Sequence, residues 1–280
     1  MGWANSTEVE ATMMRLVPSQ EELPSGSHSL SFYASPPEAA RNMASFVRGA
    51  RSRGQKALVL TDNDRMAELY RREISKEVPE LSDAVRRISG PHARPSDQGL
   101  KLVEDATEFA AAHPEGATMC GDTIPSFLDR RTLPNILVYE DWFDSLRPFY
   151  HRGLCPYDLA HLPVDQVPRT FARLAHAHTH AVLSSDPNPG VRFLQLLILP
   201  YVENPPKENL GWLAQAVEYG LVDQERDAEA VDLTPRGENF ARALMAMPDL
   251  ANRADVAARN HRRGLPERAE GRSPRLFKPD

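Results

Sequence analysis

The sequence predicts an α/β fold in which helices cover both faces of a mostly parallel sheet, followed by a small and mainly helical C-terminal domain. Segments with strand character alternate with segments of helical periodicity up to about residue 185, the order that βαβ units produce. One strand candidate, Lys56-Ala-Leu-Val-Leu-Thr61, is continuously apolar at its centre, as strands buried on both faces are. A Ser-Asp-Pro-Asn-Pro-Gly linker at 185–190 separates this region from the helical remainder.

The strands are predicted from short apolar or alternating runs that end at turn residues. The first, His28-Ser-Leu-Ser-Phe-Tyr33, alternates and carries aromatic residues, and Pro36-Pro37 closes it. Together the predicted strands cover 28–33, 56–61, 85–89, 117–122, 153–158 and 180–184. In parallel sheets of this kind ligands bind beyond the carboxyl ends of the strands, so we expect a ligand site there.

Helical spacing of apolar residues predicts the connecting helices. In the first, at 38–51, Ala39, Met43, Phe46 and Ala50 fall on one stripe, and Gly54 follows its end. The other helices are predicted at 65–76, 97–113, 133–150 and 164–176. Residues 1–27 are predicted to be a loosely held leader with a short helix near 9–16.

Beyond the linker the sequence predicts two helices, a hairpin and a third helix, which is the order of the back half of a winged helix. These elements are predicted at 191–203, 207–219, 221–233 and 236–247. Thr234 is suited to cap the last helix, with Pro235 at its first position and Glu238 at capping-box distance. We therefore predict a winged-helix-like domain over 191–250 and a basic, disordered tail over 251–280.

Composition and charge limit the classes of function. The chain of 280 residues has a net charge of −6, which opposes electrostatic binding of the whole chain to nucleic acid. Residues 253–280 are the exception, with eight basic residues against four acidic ones. No apolar stretch reaches the roughly 20 residues of a membrane span, and the N-terminus does not resemble a signal peptide. The two cysteines, Cys120 and Cys155, suit buried thiols, so we predict a cytoplasmic protein.

One glycine-rich segment, Gly49-Ala-Arg-Ser-Arg-Gly54-Gln-Lys56, imitates a phosphate-binding loop without meeting its requirements. Gln55 is inserted before the lysine, and Ala57 stands where a magnesium-binding hydroxyl is needed. The segment follows a predicted helix and precedes a predicted strand, so no helix N-terminus would face a phosphate. We interpret it as a helix end followed by a basic turn.

Three histidines at alternate positions, His176, His178 and His180, are candidate metal ligands. On an extended strand they would face one side, and imidazoles at i and i+2 can chelate a metal. The alternative is that they end a helix, complement its dipole and contact a neighbouring strand. Both interpretations stay open at this point, and the sequence names no cofactor.

No convincing catalytic constellation is present. Cys155, His176 and Asp158 can be drawn as a triad, but nothing near Cys155 in the sequence would lower the pKa of its thiol. Glu140 lies in an aromatic, helical segment, where a carboxylate is either solvated or paired in a pocket. We predict that the protein is not an enzyme; the alternative is a metal-dependent enzyme that uses the three histidines.

Four blocks of the sequence together resemble a known family. They are 28–33, 56–62, the central block Cys120-Gly-Asp-Thr-Ile-Pro-Ser-Phe127 with Tyr139-Glu140, and the closing block Leu154-Cys-Pro-Tyr-Asp158 with 176–183. These blocks resemble the MEDS domain, the sensory domain of methanogen and methylotroph regulators. Two features depart from that family: its closing block more usually has a His-Pro pair, and its output module is often N-terminal rather than C-terminal.

The resemblance implies a RecA-like three-layer sheet without a working phosphate loop, a sensory domain at 28–186, and a role in sensing a small organic ligand. It directs the prediction of ligand-binding residues to polar and aromatic side chains of the four blocks. These are His28, Tyr33, Asp62, Cys120, Asp122, Tyr139, Glu140, Cys155, Tyr157, Asp158 and His176.

The C-terminal domain is the predicted output of the sensor. Its candidate DNA contacts, chosen because amide and cationic side chains reach bases and phosphates, are Lys207, Asn209, Gln215 and Arg236. Glu208 and Glu218 make helix 207–219 a poor phosphate-binding face, which keeps protein contact or homodimerisation open. The sequence thus predicts a ligand-responsive transcriptional regulator whose partners are a small organic ligand and DNA, without a membrane. The alternative is a signalling adaptor that binds a regulatory protein.

Overall fold

A seven-stranded sheet forms the centre of the part of the chain that the structure describes. This computed structural model describes residues 13–61, 63–87, 95–122, 140, 143–159, 162, 164–223 and 231–246. The strands are β1 (Arg15–Leu16), β2 (Ser27–Tyr33), β3 (Lys56–Thr61), β4 (Val85–Arg87), β5 (Ala117–Asp122), β6 (Arg152–Asp158) and β7 (His180–Val182). They lie in the order β1-β7-β2-β6-β5-β3-β4, and every neighbouring pair is parallel. The predicted mostly parallel sheet is confirmed.

Helices cover both faces of this sheet. The helices α1 (Pro36–Ser52) and α2 (Asp64–Glu77) pack with Val59, Cys120 and Leu154 on one face, which we call the α1 face. The helices α3 (Pro95–Ala112) and α4 (Val167–Ala177) pack with Phe32, Leu58, Met119 and Cys155 on the other, the α4 face. Alternation of side chains along the strands produces this division, because β3, β5 and β6 have apolar side chains in both directions.

The N-terminal residues differ from the prediction. The predicted helix near 9–16 is wrong at its described end, because Arg15–Leu16 is a strand at the edge of the sheet. The amide of Arg15 donates to the carbonyl of Thr179, and the amide of Val17 donates to that of Ala181. Pairing with β7 satisfies backbone groups that an uncovered edge would leave to solvent. Residues 1–12 lie outside the described part of the chain.

Prolines account for the changed helix bounds. Helix α1 begins at Pro36, and the hydroxyl of its N-cap Ser35 accepts from the amide of Glu38. The predicted helix 191–203 is shorter: α5 spans Pro189–Leu196, and a 3-10 turn follows at Leu199–Tyr201. Pro200 cannot donate to the preceding turn, so an α-helix does not continue through it. Of the helix predicted at 133–150, the described part has helical residues at 140 and 143–145, then a 3-10 turn at Arg147–Phe149.

The C-terminal elements follow the predicted order of helix, hairpin and helix. They are α6 (Lys207–Glu218), the antiparallel strands β8 (Val222–Asp223) and β9 (Asp232–Leu233), and α7 (Pro235–Met245). The hydroxyl of Thr234 accepts from the amide of Gly237 at 3.0 Å and caps α7 as predicted. Their apolar residues, including Leu213 and Ala241, and Leu194 of the preceding α5 belong to the same hydrophobic cluster as the α4 face. In the described residues, we find no helix with the length and apolarity needed to cross a membrane.

The segment that imitates a phosphate loop has the arrangement expected of a helix end. Gly49 is inside α1, Gly54 is in the following turn with φ +69°, and Lys56 is an exposed residue at the start of β3. Lys56 therefore lies at the amino end of a strand. No helix begins beside it in the sequence to receive a phosphate group.

Candidate functional site

Four buried ionisable side chains meet on the α4 face: His28, Glu140, Cys155 and His178. We call them the His–Glu–Cys–His cluster. His28 is the second residue of β2, Cys155 is central in β6, and His178 follows the last residue of α4. None is more than 2% exposed. The strand order places β6 beside β2 and β7 on its other side, so residues distant in sequence converge at the amino ends of β2 and β7.

The side-chain atoms of the cluster point at one another. Glu140 Oε2 lies 3.3 Å from His28 Nε2 and 3.1 Å from His178 Nε2. Cys155 Sγ lies 3.4 Å from His28 Nε2. One ligand atom from each of the four residues lies within 4.8 Å of those of the other three. Two imidazoles, a carboxylate and a thiol are a donor set that suits a transition-metal ion.

A second group of atoms orients the cluster. His178 Nδ1 donates to the carbonyl oxygen of Leu174 at 2.7 Å, and His28 Nδ1 lies 3.3 Å from Asp144 Oδ1. The hydroxyl of Tyr157 donates to Glu140 Oε1, and the ring of Phe143 stacks on His28 at 5.2 Å. Both Nδ1 atoms face acceptors, so the two Nε2 atoms are directed to the centre of the cluster.

The electrostatics of the cluster depend on this mutual contact. Burial alone would raise the pKa of Glu140, but the adjacent His178 and His28 outweigh burial and hold that pKa well below its usual value. Burial acts to lower the pKa of His28, yet Asp144 and Glu140 raise it on balance. For His178 burial prevails over Glu140, and its pKa is lowered. A negative carboxylate thus lies in the core and needs a positive partner.

The three histidines named as candidate metal ligands are separated by the structure. His176 is exposed near the end of α4, and His178 is buried in the cluster. His180 is in β7 and lines a surface cavity of about 440 Å³ with Met13, Arg15, Thr179 and Glu203. The three do not form one extended strand, because α4 ends at Ala177 and β7 begins at His180, and this agrees with the alternative in which the histidines end a helix and meet a neighbouring strand.

The triad drawn from Cys155, His176 and Asp158 does not assemble either. Cys155 and Asp158 are three residues apart in β6 and therefore point to opposite faces of the sheet. His176 is exposed, whereas Cys155 is fully buried.

The predicted ligand-binding residues fall into two groups. His28, Glu140, Cys155 and Tyr157 belong to the cluster and its immediate contacts. Tyr33, Asp122 and Asp158 lie at the carboxyl ends of β2, β5 and β6, while Cys120 faces α1 and α2. At that end the hydroxyl of Tyr70 donates to Asp122, and burial together with Asp122 raises the pKa of Tyr70 well above its usual value. Asp62 and Tyr139 lie outside the described residues.

Sequence reasoning missed some residues around the cluster. Asp144 is four residues after Glu140, a helical repeat that could have marked it as a neighbour. The carbonyl of Leu174 gave no such signal, and neither did the hydroxyl of Tyr70, which bonds to Asp122 away from the cluster, because backbone acceptors and long-range partners depend on the fold.

The predicted DNA contacts are at the surface of the C-terminal elements. Lys207, Gln215 and Arg236 are exposed, and Asn209 is half-buried. Two large aromatic residues of the same region, Trp212 and Tyr219, are 54% and 61% exposed.

The fold and the site together define a three-layer α/β protein with a buried polar cluster on the α4 face of its sheet. Residues 27–179 match the family described as MEDS, "MEthanogen/methylotroph, DcmR Sensory domain". This match covers more than half of the 280 residues, and the chain belongs to the MEDS family. The matched region begins one residue before His28 and ends one residue after His178, so it contains all four cluster residues. A search of curated proteins finds no match to the chain.

Proposed function

We propose that the protein is a ligand-responsive regulator in which the MEDS domain senses a small organic molecule through the His–Glu–Cys–His cluster. The cluster carries the proposal, because four ionisable groups are buried where apolar side chains would stabilise the core more. Such groups are retained mostly at functional sites. The membership of a sensory family supports the same assignment.

The junction of β2 and α1, where a RecA-like scaffold would bind a phosphate, supports a sensing role. Only Ala34 and Ser35 separate β2 from α1. The carboxylate of Glu38 occupies this junction: it accepts from the amide of Ala34 at 2.8 Å, from the hydroxyl of Ser184 at 2.7 Å and from the amide of Ser185 at 2.8 Å. A buried carboxylate at the start of α1 fills the space and the positive potential that would attract a phosphate.

The cluster is close to the segment that leads to the output elements. His178 is followed directly by β7, and the chain then continues through residues 183–188 into α5. Phe193 of α5 packs edge-on against Phe240 of α7 at 5.3 Å. A movement of His178 would therefore be passed along β7 to the packing of α5 and α7, which is the route we propose for the signal.

For the output we propose a winged-helix-like domain that binds DNA, which makes the protein a transcriptional regulator. The exposed side chains of Lys207, Gln215 and Arg236 support this assignment, and the basic residues of 253–280 add the charge that α6 lacks. Binding of the full chain to DNA upstream of its own gene, measured by fluorescence anisotropy at several salt concentrations, tests it. We expect binding that weakens steeply with salt and weakens further in Arg236→Ala. Absence of binding at low salt would exclude DNA binding as the output of the regulator.

A protein-binding output is the second candidate, and one surface favours it. With 100° per residue, Glu208, Trp212, Gln215 and Tyr219 fall on one side of α6 and its last turn. Two exposed aromatic residues beside a carboxylate suit a protein contact or a homodimer better than a phosphate backbone. Sedimentation velocity of the full chain and of Trp212→Ala tests the homodimer. A dimer that the substitution dissociates supports it, and a monomer at all concentrations excludes it.

The proposed sensing of a small organic molecule is tested by native mass spectrometry of the full chain purified from its own host. We expect a bound species of low mass on the wild-type chain and on His176→Gln, and its loss from His178→Gln. An unliganded wild-type chain that nevertheless responds to small organic molecules through other residues would contradict the assignment of the cluster.

A further inference from the structure

We propose that His28, Glu140, Cys155 and His178 form a tetrahedral site for one divalent transition-metal ion, of which Zn²⁺ is the expected occupant. This inference deepens the proposed function, and its regulatory meaning rests on the cluster being the sensing site. Whether the metal binds can be measured without any output from the regulator.

The first argument is the spacing of the four ligand atoms. Metal–nitrogen and metal–oxygen bonds of about 2.0–2.2 Å with a metal–sulfur bond of about 2.3 Å give a tetrahedron with edges of about 3.3–3.6 Å. Three of the six edges are Glu140 Oε2 to His178 Nε2 at 3.1 Å, Glu140 Oε2 to His28 Nε2 at 3.3 Å, and Cys155 Sγ to His28 Nε2 at 3.4 Å, and all four atoms lie within 4.8 Å of one another. These separations are compatible with a shared ion, and hydrogen-bonded side chains reach them as well, so the choice between the two depends on the protons that the four groups can supply.

The second argument is the count of protons. A carbonyl oxygen can only accept, so His178 Nδ1, which contacts Leu174 O, must carry a proton. A neutral His178 then has a bare lone pair on Nε2, which faces the carboxylate oxygen Glu140 Oε2. Among the described residues, neither His178 Nε2 nor Glu140 Oε2 has a hydrogen-bond donor. Two buried acceptors in contact require a cation between them.

The third argument decides between a proton and a metal ion. His28 repeats the pattern, since its Nδ1 faces Asp144 and its Nε2 faces Glu140. Without a metal, protons would have to be added to both Nε2 atoms, or to His28 Nε2 and Glu140, beside two rings whose centroids are only 4.2 Å apart in the core. One divalent ion satisfies both imidazoles, the carboxylate and the thiol together.

The contacts around the cluster are those that metal ligands use. Coordinating histidines commonly donate their second ring nitrogen to a carboxylate or a backbone carbonyl, here supplied by Asp144 and Leu174. The Tyr157 hydroxyl holds the second oxygen of Glu140. Two nitrogens, one oxygen and one sulfur favour Zn²⁺ over Mg²⁺ or Ca²⁺, which take oxygen ligands. With all four positions supplied by protein, we expect the ion to be retained through dialysis, and an organic molecule sensed through the cluster would act by displacing one of the four protein ligands.

The test uses the full chain without a histidine tag, purified without chelator and loaded with Zn²⁺ or Co²⁺. Plasma mass spectrometry should find one ion per chain after dialysis. The Co²⁺ form should show the intense visible absorption of a tetrahedral ion and a thiolate charge-transfer band in the near ultraviolet. His178→Gln and Cys155→Ser should bind at least about tenfold more weakly.

Matched controls come from the same sequence. His176→Gln and His180→Gln change neighbouring histidines outside the cluster, and Cys120→Ser changes the buried thiol of the α1 face. All three should retain the wild-type ion and spectrum. Circular dichroism identifies any variant that does not fold, and the wild-type measurement stands without the variants.

A wild-type chain that retains no ion after loading overturns the inference. So does a charge-transfer band that persists in Cys155→Ser. If the chain binds no metal yet its DNA binding responds to small molecules, the metal inference fails while the proposed function stands. If the ion binds and no output responds, the metal inference stands and the proposed function fails.

Discussion

The side chains of the cluster illustrate how little of a buried site is visible at the level of single residues. His28, Glu140, Cys155 and His178 each stood out in the sequence, but nothing in their spacing showed that they meet. His178 was grouped with His176 and His180, but His176 is exposed on α4 and His180 lines a surface cavity, so neither reaches the cluster. The strand order joins the four, and that order depends on contacts across the whole sheet.

At this scale we predict the effect of removing the hydroxyl that supports Glu140. Tyr157→Phe leaves one oxygen of a buried carboxylate without its donor, which should lower the free energy of unfolding by about 1–3 kcal/mol. Tyr150→Phe is the control, since the buried hydroxyl of Tyr150 has no partner among the described residues. Urea unfolding of both variants should show a loss for Tyr157→Phe alone; equal stability of the two would contradict the role of Tyr157.

Single elements were predicted best where the local sequence determines them. The apolar run of β3 and the Thr234 cap of α7 follow from neighbouring residues, and both are confirmed. The strand Arg15–Leu16 could not be predicted, because its strand conformation comes from pairing with β7, about 165 residues away. The apolar periodicity extended the predicted helix to residue 203, although Pro200 cannot continue an α-helix and a 3-10 turn is found there.

The junction of β2 and α1 provides a prediction for an element. Glu38→Ala removes a buried carboxylate that accepts from Ala34, Ser184 and Ser185, and it should cost about 2–3 kcal/mol of unfolding free energy. Glu68→Ala, an exposed residue of α2, should change stability by less than about 0.5 kcal/mol. Thermal or chemical unfolding that ranks the two variants equally would show that Glu38 does not hold the junction.

The N-cap of α7 provides a second prediction at the scale of an element. Thr234→Ala removes the acceptor for the amide of Gly237 and should destabilise α7 by about 1 kcal/mol. Thr107→Ala is the control: that hydroxyl bonds to the carbonyl of Val103 inside α3, where alanine is the better helix former. Hydrogen exchange should show faster exchange at the start of α7 in Thr234→Ala and unchanged protection of α3 in Thr107→Ala.

At the scale of the whole molecule, one of the hydrophobic clusters formed by the described residues runs without interruption from the α4 face to the C-terminal helices. This continuity predicts that the sheet and the C-terminal elements unfold together. Calorimetry should show one transition whose calorimetric and van't Hoff enthalpies agree. Two separate transitions would show that the C-terminal elements form an independently stable unit, and the proposed signal route through α5 and α7 would then lose its packing.

The central claim is that the interior of this MEDS domain is a binding site that the cluster forms. X-ray absorption of the Zn²⁺-loaded full chain tests it most directly. We predict one sulfur at about 2.3 Å and three nitrogen or oxygen atoms at about 2.0–2.2 Å, with the sulfur absent in Cys155→Ser. A first shell of oxygen atoms alone, or a sulfur that remains in that variant, would contradict the claim.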